Sequence, residues 1–430
     1  MYNVISFTGI FIFIAIAWLF SSNRRNLNWS VIISGVGIQL LFALFIFKVP
    51  AGTKLFLLIN ELVIKVIEAS SAGSEFVFGS LSFPPGEQGS HGFILAFQSL
   101  PAIIFFSALI SILYYLNIMP LIIRFFAGIF SRFMKISGAE ALCAASNIFV
   151  GVEAAFTVKP HISEMTRSEL CTMLTCGMST VASNVLVLYV FTLSAQFPSI
   201  AGHLISASIL SAPAAIIMSK VLLPEELAPK TMGISIKPDY KKASNLFEAI
   251  IDGAQDGVKV IVGVGSLLIA VLGIVALMDM VLAAVGEIIN NSSGLKIDWT
   301  LKGLFGYLFY PFSLIMGVPP SDAFEVGKIV GLRTIATEVA GYQELSAAIS
   351  EGLFKNPRSI LIATYALCGF AHLASVAIFV GGISALSPGK TKVLSQIAFR
   401  SLFAATLACL MTACVAGTFF DGSSILLGKN

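Results

Sequence analysis

Two glutamates, Glu153 and Glu338, lie within apolar stretches of the chain that are long enough to enter a lipid bilayer. A carboxylate at membrane depth costs about 2.5–3.5 kcal/mol on the insertion scale. Ionisable residues in such places face a wet cavity, where they bind solutes or ions. The two glutamates therefore predict a polar site inside a membrane protein. The alternative is that either glutamate belongs to an ordinary loop.

The apolar segments that follow the two glutamates are each interrupted by polar residues. Residues 169–192 contain Ser179-Thr180-Val181-Ala182-Ser183-Asn184, and residues 358–384 contain Gly369-Phe370-Ala371-His372-Leu373-Ala374-Ser375. Hydroxyls and glycines also occur at ordinary helix–helix contacts. A carboxylate followed by an interrupted span, occurring twice, is more specific. It is typical of transporters with inverted repeats, whose site lies at the membrane midplane where helices break.

The overall composition indicates that a bilayer surrounds these segments. Of 430 residues, 57% are hydrophobic and 11% are charged, with a mean hydropathy of +0.92, whereas soluble domains carry about 25% charged residues. The net charge is +3 and no long basic tract occurs, so a nucleic-acid partner is not expected. The cysteines occur singly in apolar runs without metal-site spacing: Cys143, Cys171, Cys176, Cys368, Cys409 and Cys414.

Eight apolar segments are predicted to cross the membrane, each close to the ~20 residues that a spanning helix needs: residues 4–20, 31–47, 93–115, 169–192, 198–222, 258–285, 358–384 and 400–420. Cytoplasmic loops are enriched in Lys and Arg, and Arg24 and Arg25 follow the first span. Counting onward places the other basic loops inside as well; they hold Arg124, Arg132, Lys135, Lys230, Lys237, Lys241, Lys242, Lys390 and Lys392. The sequence thus predicts a multi-pass protein of the cytoplasmic membrane with both termini outside.

Two further segments begin and end on a single side of the membrane in this topology. Residues 138–164 start and finish in the cytoplasm, and residues 319–352 start and finish outside. They are predicted to form re-entrant hairpins, with Gly151 and Glu153 near the first tip and Glu338 near the second.

Other apolar stretches fit the membrane surface. Residues 51–70 have helically spaced apolar positions between charges, which predicts an amphipathic interfacial helix, or else an ordinary extramembrane helix. Residues 301–318 are predicted to lie at the interface or to lead into the second hairpin. The predicted fold is therefore an all-α polytopic membrane protein, with eight transmembrane helices, two re-entrant hairpins in an inverted repeat, and interfacial helices.

Several motifs at these positions resemble those of the concentrative nucleoside transporter family, and the resemblance covers nearly the whole chain. The motifs are Asn28-Trp29, the run Ser-Ala-Gly-Ser-Glu-Phe-Val-Phe-Gly over 71–79, Asn147-Ile148-Phe149-Val150-Gly151 followed by Glu153-Ala154, Gly331-Leu332-Arg333 with Glu338 and Tyr342, and the run Ala-Thr-Tyr-Ala-Leu-Cys-Gly-Phe-Ala over 363–371 followed by Ser375. The resemblance implies a homotrimer that imports nucleosides down a Na⁺ or H⁺ gradient, with no other cofactor.

The resemblance also implies a transport domain that moves against a scaffold like an elevator. The corresponding division of the chain is residues 1–135 as scaffold with the first three spans and interfacial helices, 136–222 as the first half of the transport domain, 223–300 as a cytoplasmic loop and the sixth, scaffold span, and 301–430 as the second half of the transport domain.

The resemblance implies a substrate site of nine residues: Gly151, Val152, Glu153, Asn184, Val185, Glu338, Phe370, His372 and Ser375. Glu338 is implied to bind the ribose, which suits a carboxylate because an ionised carboxylate only accepts hydrogen bonds and hydroxyls donate them. Glu153 is implied to lie near the base. Phe370 can offer a ring face to the base or line the pocket, and His372 can donate or accept.

This chain departs from the family pattern within that site. The usual Gly-Gln-Thr-Glu of the first hairpin is replaced by Gly151-Val152-Glu153, which is one residue shorter, and the usual Asn-Glu-Phe of the second by Thr337-Glu338-Val339. The usual Asn of the seventh span is His372, and the usual Gly-Ser of the fourth is Ser183-Asn184. These changes leave the preferred base open, with modified or C-linked nucleosides among the candidates.

The residues leave Na⁺ and H⁺ open as coupling ions, with Na⁺ favoured. A Na⁺ site needs several oxygen ligands, which hydroxyls and the free carbonyls of a broken helix can supply. The candidate ligands are Asn147, Ser179, Thr180 and Ser183. A proton could instead ride on Glu153, Glu338 or His372.

Two other functional classes compete with nucleoside symport. A transporter or channel of the same architecture for another small polar solute keeps the hairpins and changes the cargo. An intramembrane enzyme is disfavoured, because the sequence has no His-Glu-x-x-His, Gly-x-Ser-x-Gly or nucleotide-binding loop.

Overall fold

The computed structural model describes residues 1–240, 242–294 and 297–422 of the chain. Throughout these residues the regular structure is helical, and the β-type pairing found there is an isolated bridge between Ser137 and Met232. The predicted all-α class is confirmed. Lys241, which the sequence assigns to a cytoplasmic loop, and the C-terminal residues 423–430 lie outside the described residues.

The helices of the described chain follow one another from the N-terminus to the C-terminus, with the longest connection between Leu222 and Leu246. Up to residue 222 they are α1 (Tyr2–Leu19), α2 (Trp29–Lys48), α3 (Pro50–Phe78), α4 (Leu95–Gln98), α5 (Leu100–Tyr115), α6 (Ile118–Met134), α7 (Gly138–Asn147), α8 (Lys159–Ile162), α9 (Arg167–Ser179), α10 (Ser183–Leu193) and α11 (Ile200–Leu222). After it they are α12 (Leu246–Ser293), α13 (Leu301–Ile315), α14 (Pro320–Ile335), α15 (Glu338–Ser350), α16 (Pro357–Leu367), α17 (Leu373–Leu386) and α18 (Thr391–Phe419). Short 3₁₀ helices cover Gly79–Ser82, Val152–Val158 and Pro388–Lys390.

Several helical segments are long and apolar enough to cross a membrane. Within the described residues there are 7: Tyr2–Leu19, Trp29–Lys48, Leu95–Tyr115, Arg167–Leu193, Ile200–Leu222, Leu246–Ser293 and Pro388–Phe419. The remaining predicted span, 358–384, consists of two shorter helices, α16 and α17, with a break between them. Neither reaches the ~20 residues needed to cross alone. The chain is thus a multi-pass membrane protein, and the number of eight crossings stays a prediction.

Helix α12 is 48 residues long and begins well before the predicted span 258–285. Asn245 caps its first turn by accepting a hydrogen bond from the Glu248 amide at 2.9 Å, and such a cap starts a helix. The predicted start of the sixth span at residue 258 is therefore too late, because the helix already begins at Leu246. The extra turns give α12 a long face along the rest of the molecule.

Helix α6 is an amphipathic helix that the pattern of spans does not predict. Asn117 and Lys135, which flank it, both have left-handed backbones, with φ of 63° and 54°. Its Ile123 is buried, whereas Arg124 and Arg132 are exposed. A helix with one apolar face and cationic exposed residues is suited to the membrane surface.

The interfacial segments predicted over 51–70 and 301–318 both form helices. Helix α3 covers the first and continues to Phe78, and α13 covers the second. Helix α13 packs closely along α14, because a Cβ at Gly327 would lie only 2.8 Å from the backbone oxygen of Gly306. The second of these segments therefore lies directly beside the start of the segment predicted as the second hairpin.

The two segments predicted as hairpins each break near their middle and return to their starting point. In the first segment, the Gly138 amide at the start donates to Thr231 O at 2.9 Å. Glu164, at the end of the segment, pairs at 2.8 Å with Lys230, the residue before Thr231. Hydrogen bonding to Lys230 lowers the pKa of the Glu164 carboxyl below its usual value. In the second, Asp322 near the start accepts a hydrogen bond from the Asn356 amide at 3.0 Å. Both segments are closed helix–break–helix units, and their entry into the membrane from one side stays a prediction.

The closed end of the second segment lies at the N-terminus of α1. Ser6 Oγ donates to the carbonyl of Met316 at 2.6 Å, and Arg358 Nη2 donates to the carbonyl of Tyr2 at 3.1 Å.

The closed end of the first segment lies beyond the opposite end of α1. There the Ser22 amide donates to Leu222 O at 3.0 Å, and Lys220, two residues before Leu222, pairs with Glu140 of α7 at 2.5 Å. A helix of 18 residues such as α1 is about 27 Å long. The closed ends of the two units therefore lie near opposite ends of α1, and the inverted repeat stays a prediction.

Candidate functional site

A central cavity of about 150 Å³ lies where the two closed units meet the two interrupted spans. All nine predicted substrate residues line it: Gly151, Val152, Glu153, Asn184, Val185, Glu338, Phe370, His372 and Ser375. They come from four different places in the chain. The opposite wall is an apolar face of α12 that includes Val260, Val264 and Leu268.

Glu338 is the buried carboxylate of this cavity, with 3% of the residue exposed. It is the first residue of α15, and Thr337 caps that helix. Its Oε1 accepts a hydrogen bond from the Tyr189 hydroxyl at 2.8 Å. Its Oε2 lies 3.0 Å from His372 Nε2, yet this pair does not have hydrogen-bond geometry, so Oε2 has no hydrogen-bond donor among the described residues. Glu338 is therefore held on Oε1 by Tyr189, while Oε2 lies beside His372 and keeps lone pairs for a further donor.

His372 is held in place as the capping residue of α17. Its Nδ1 accepts a hydrogen bond from the Ser375 amide at 3.2 Å. An imidazole nitrogen that accepts carries no proton, so the neutral ring has its proton on Nε2, the atom facing Glu338. This assignment follows from the hydrogen bonds around the ring.

Arg333 contacts the other side of the break in the seventh span, which separates α16 from α17. Its side chain is 0% exposed, and Nη1 donates to the carbonyl of Ala366 in the last turn of α16 at 2.7 Å. A cation is favourable at a helix C-terminus, where carbonyls lack intrahelical partners. The second closed unit therefore contacts both ends of the break, through Arg333 at one end and through Glu338 and His372 at the other.

The breaks of the two interrupted spans lie against each other. Gly369 has a φ of +129°, and a Cβ at this position would lie 2.7 Å from the carbonyl carbon and oxygen of Ser179. Only glycine permits both this backbone conformation and this approach. Cys409 Sγ, on α18, donates to the Cys368 carbonyl at 3.0 Å beside the crossing.

Glu153 also lines the central cavity, just after the tip of the first closed unit. It is exposed to the cavities rather than packed. It also lines a second cavity of about 250 Å³, together with Tyr114, Tyr240 and Asp256. The two cavities share Gly151, Glu153, Asn184 and Val260. Glu153 therefore stands where the central cavity continues into a more polar space.

The four predicted cation ligands are near the cavity but do not line it. The hydroxyls of Ser179 and Thr180 donate back to Cys176 O at 3.3 and 2.9 Å. Asn147 Nδ2 donates to Cys143 O at 3.0 Å, which leaves its buried Oδ1 without a partner. The Ser183 amide donates to Phe149 O at 2.9 Å, which joins the first tip to the break of the fourth span.

Of the four candidates, Asn147 has a buried side-chain oxygen without a hydrogen-bond partner among the described residues. A buried amide oxygen without a donor costs about 1–3 kcal/mol, and a cation would satisfy it. Within the described residues no group of three or more His, Cys, Asp and Glu side chains is placed to hold a metal ion.

Two residues at the site are not among the sequence candidates. Tyr189 lies in an apolar helix and directs its hydroxyl to Glu338, and Arg333 supports the break. A tyrosine in the middle of an apolar span is a usable signal, because its buried hydroxyl needs a partner. A buried arginine in such a place is a second signal of the same kind.

Fold and site together define a secondary-transporter type of membrane protein, in which interrupted helices and closed helical units surround a cavity among apolar helices. The chain belongs to the concentrative nucleoside transporter family. Family profiles described as Na⁺ dependent nucleoside transporter N-terminus and C-terminus match residues 8–81 and 203–417, and a nucleoside recognition profile matches residues 96–196.

Individual relatives extend this similarity over nearly the whole chain. Nucleoside permease NupC of Helicobacter pylori is 34% identical over 421 residues, covering 97% of this chain and 98% of that protein. Solute carrier family 28 member 3 of Mus musculus is 34% identical over 433 residues, and the matched part is 59% of its length. The structure of CNTnw in an inward-facing substrate-bound state matches with a TM-score of 0.87 and 32% identity, covering 97% of this chain and 98% of that one. These relatives are transporters, which agrees with the expectation that the chain is not an enzyme.

Proposed function

We propose that this chain is a cation-coupled symporter that imports nucleosides across the cytoplasmic membrane. The observation that carries the proposal is Oε2 of Glu338, a buried carboxylate oxygen at the central cavity that lies 3.0 Å from His372 Nε2 but accepts no well-aligned hydrogen bond from the described residues. Leaving such an atom unpaired costs about 1–3 kcal/mol, and more for a charged group. A ribose hydroxyl would supply the missing donor. Membership of a nucleoside transporter family supports this cargo.

The nucleobase would lie between the first tip and the break of the seventh span. A Cβ built on Gly151 comes within 3.9 Å of the Phe370 ring, so the tip and the aromatic residue enclose the same part of the cavity. Asn184 and Glu153 provide polar groups there, while the side chains of Val152 and Val185 provide an apolar surface. The side-chain amides that the family usually has at the first tip and at position 372 are absent here. We therefore expect the base preference of this transporter to differ from that of its relatives.

The coupling ion in this proposal is Na⁺, held near Asn147 and the break of the fourth span. The unpartnered Asn147 Oδ1 and the contact between Ser183 and Phe149 support an oxygen-lined site between the first tip and that break. Relatives such as sodium/nucleoside cotransporter 1 of Rattus norvegicus, 32% identical over 432 residues, support the choice of ion. A proton on Glu153, Glu338 or His372 is the competing possibility.

Transport would proceed by an elevator-type movement of residues 136–222 and 301–430 against the rest of a homotrimer. The CNTnw structures, described as inward-facing, outward-facing and intermediate, support a fold that changes access in this way. The central cavity here continues toward Tyr240 of the loop assigned to the cytoplasm. The described conformation is therefore interpreted as inward-facing.

The decisive experiment is uptake of radiolabelled uridine, adenosine and pseudouridine into proteoliposomes, with Na⁺ and pH gradients imposed separately. We expect saturable uptake of at least one nucleoside that requires a Na⁺ gradient at equal pH on both sides. Absence of uptake and of competition by all three nucleosides would assign the cavity to another small polar solute.

A further inference from the structure

A second depression lies between α1 and α2, and it shares no lining residue with the central cavity. This lipid groove, as we name it, runs between α1 and α2 and has a volume of about 840 Å³. Its walls are aliphatic and aromatic residues of these two helices, and Val221 of α11 closes its floor. None of the residues proposed to bind nucleoside or cation lines it.

One end of the lipid groove differs from the rest in its chemistry. The turn that joins α1 to α2 places Arg24 and Arg25 there, with Trp18 and Trp29 beside them. Trp29 is 62% exposed and Trp18 39%. Tryptophan is enriched at the level of lipid headgroups, and cationic side chains there attract anionic lipids.

The two arginines are not neutralised by carboxylates of the described chain. Arg24 Nη2 donates to the Leu19 carbonyl at 2.5 Å, and its guanidinium lies 6.0 Å from the centre of the Trp18 ring. Arg25 is exposed and makes no ion pair within the part of the chain that the structure describes. Glu226, in the loop after α11, accepts a hydrogen bond from Asn23 of this turn at 3.3 Å and makes no ion pair with either arginine among the described contacts. Two positive charges are therefore left at the mouth of an apolar groove.

We propose that the lipid groove is a binding site for an anionic phospholipid. The acyl chain would lie along the apolar walls, and Arg24 and Arg25 would contact the headgroup phosphate. The charges decide between possible occupants, because a purely apolar partner leaves both guanidinium groups uncompensated whereas an anionic headgroup pairs with them. Arginine is suited to phosphate, since its planar group can donate two hydrogen bonds at once.

Tryptophan fluorescence gives a direct test, because the chain has 3 tryptophans and two of them line the groove. The variant Trp299→Phe leaves Trp18 and Trp29 as the reporters. The protein is reconstituted in phosphatidylcholine vesicles that contain either brominated phosphatidylglycerol or brominated phosphatidylcholine at equal mole fractions. Brominated chains quench tryptophans that they touch. If Trp299→Phe does not fold, quenching by the two brominated lipids is compared in the wild-type protein, where Trp299 adds the same signal to both measurements.

We expect quenching to show a preference of about fivefold or more for phosphatidylglycerol, since one cation near an anionic surface strengthens binding by about that factor. The double variant Arg24→Gln/Arg25→Gln should reduce the preference to about one. The control Arg124→Gln/Arg132→Gln removes the same amount of charge from exposed positions of α6, and it should retain the preference for phosphatidylglycerol. Equal quenching by both lipids, or loss of the preference in both double variants, would overturn the proposal.

Filling the groove tests the position of the acyl chain independently of charge. A Cβ at Gly37 meets nothing within 4 Å, so Gly37→Leu adds a side chain to the groove without a clash. It should at least halve the quenching by brominated phosphatidylglycerol. Gly263→Leu, at an equally open position on α12, is the matched control and should leave quenching unchanged. Unchanged quenching in Gly37→Leu would also overturn the proposal.

Discussion

His372 Nε2 lies 3.0 Å from Oε2 of Glu338, while Nδ1 of the same ring accepts the amide of Ser375 at 3.2 Å. One side chain therefore caps helix α17 and contacts the carboxylate at the start of α15. Because the cap uses the Nδ1 lone pair, protonating the ring at that atom would remove the cap. The break in the seventh span and the proposed ribose site are thereby linked through a single imidazole.

Glu338→Gln tests the proposed ribose contact. The change keeps the size of the side chain and replaces an acceptor-only group by an amide that is half donor. Losing a hydrogen bond to a charged group costs about 1.5–3 kcal/mol, so nucleoside affinity should fall roughly ten- to a hundredfold. Binding of labelled nucleoside to the purified variant measures this. Glu351→Gln, at an exposed position, is the control, and parental affinity in a folded Glu338→Gln protein would show that the role is wrong.

Tyr189→Phe tests whether Glu338 must be held by its other oxygen. The change removes the hydroxyl that donates to Oε1 at 2.8 Å and keeps the ring that stacks on Tyr342 with centroids 4.5 Å apart. We expect a roughly tenfold loss of affinity, from one hydrogen bond to a charged group. Tyr342→Phe is the matched control, because that hydroxyl donates to the carbonyl of Thr364 instead. Equal losses in the two variants would indicate a general packing effect.

His372→Asn separates the capping role of His372 from proton transport. Asparagine is among the best capping residues, so α17 should form normally, and the side chain no longer titrates. We expect ion-driven uptake to persist, with a changed ratio of uridine, adenosine and pseudouridine transport. Uptake assays under separate Na⁺ and pH gradients measure both properties. Selective loss of pH-driven uptake in this variant would identify His372 as the proton carrier.

Asn147→Ala and Ser183→Ala test the proposed Na⁺ site. Each removes a neutral oxygen at the first tip or at the break of the fourth span, so each should raise the Na⁺ concentration for half-maximal uptake. Nucleoside affinity at saturating Na⁺ should change less. Thr192→Ala lies on the same helix as Ser183 and removes a hydroxyl that donates only to Leu188 O among the described contacts, which makes it the control. Uptake that continues without Na⁺ and stops without a pH gradient would exclude Na⁺ coupling.

The predicted topology can be tested with single cysteine labels. The native cysteines are all buried in the structure, which keeps background labelling low. A cysteine introduced at either terminus should react in intact cells, and Lys237→Cys should react only after the membrane is permeabilised. The physical reason is the excess of Lys and Arg in the loops assigned to the cytoplasm. Reaction of Lys237→Cys with an impermeant reagent in intact cells would contradict the eight-span arrangement.

Local sequence signals were sufficient for the breaks, whereas the candidate substrate residues came from the family resemblance. Polar runs such as 179–184 stand out because a bilayer penalises exposed backbone and polar groups. The nine substrate candidates lie in short motifs, and the structure brings all of them to one cavity. Cation ligands were harder to choose, because a hydroxyl in a polar run can equally well donate to its own helix, as Ser179 and Thr180 do.

By itself, the amino-acid sequence determined the membrane class, the positions of the apolar helices and the chemistry of the interrupted segments, because hydropathy and helix-breaking residues act over short stretches of chain. Tertiary structure alone decided which distant groups meet. Tyr189 contacts Glu338 at a sequence separation of 149, Arg333 contacts Ala366 at 33, and Gly369 lies against Ser179. These contacts depend on how whole helices pack against each other. The pattern of side chains along a single helix is the same whichever neighbour it packs against, so the sequence pattern alone does not identify the neighbour.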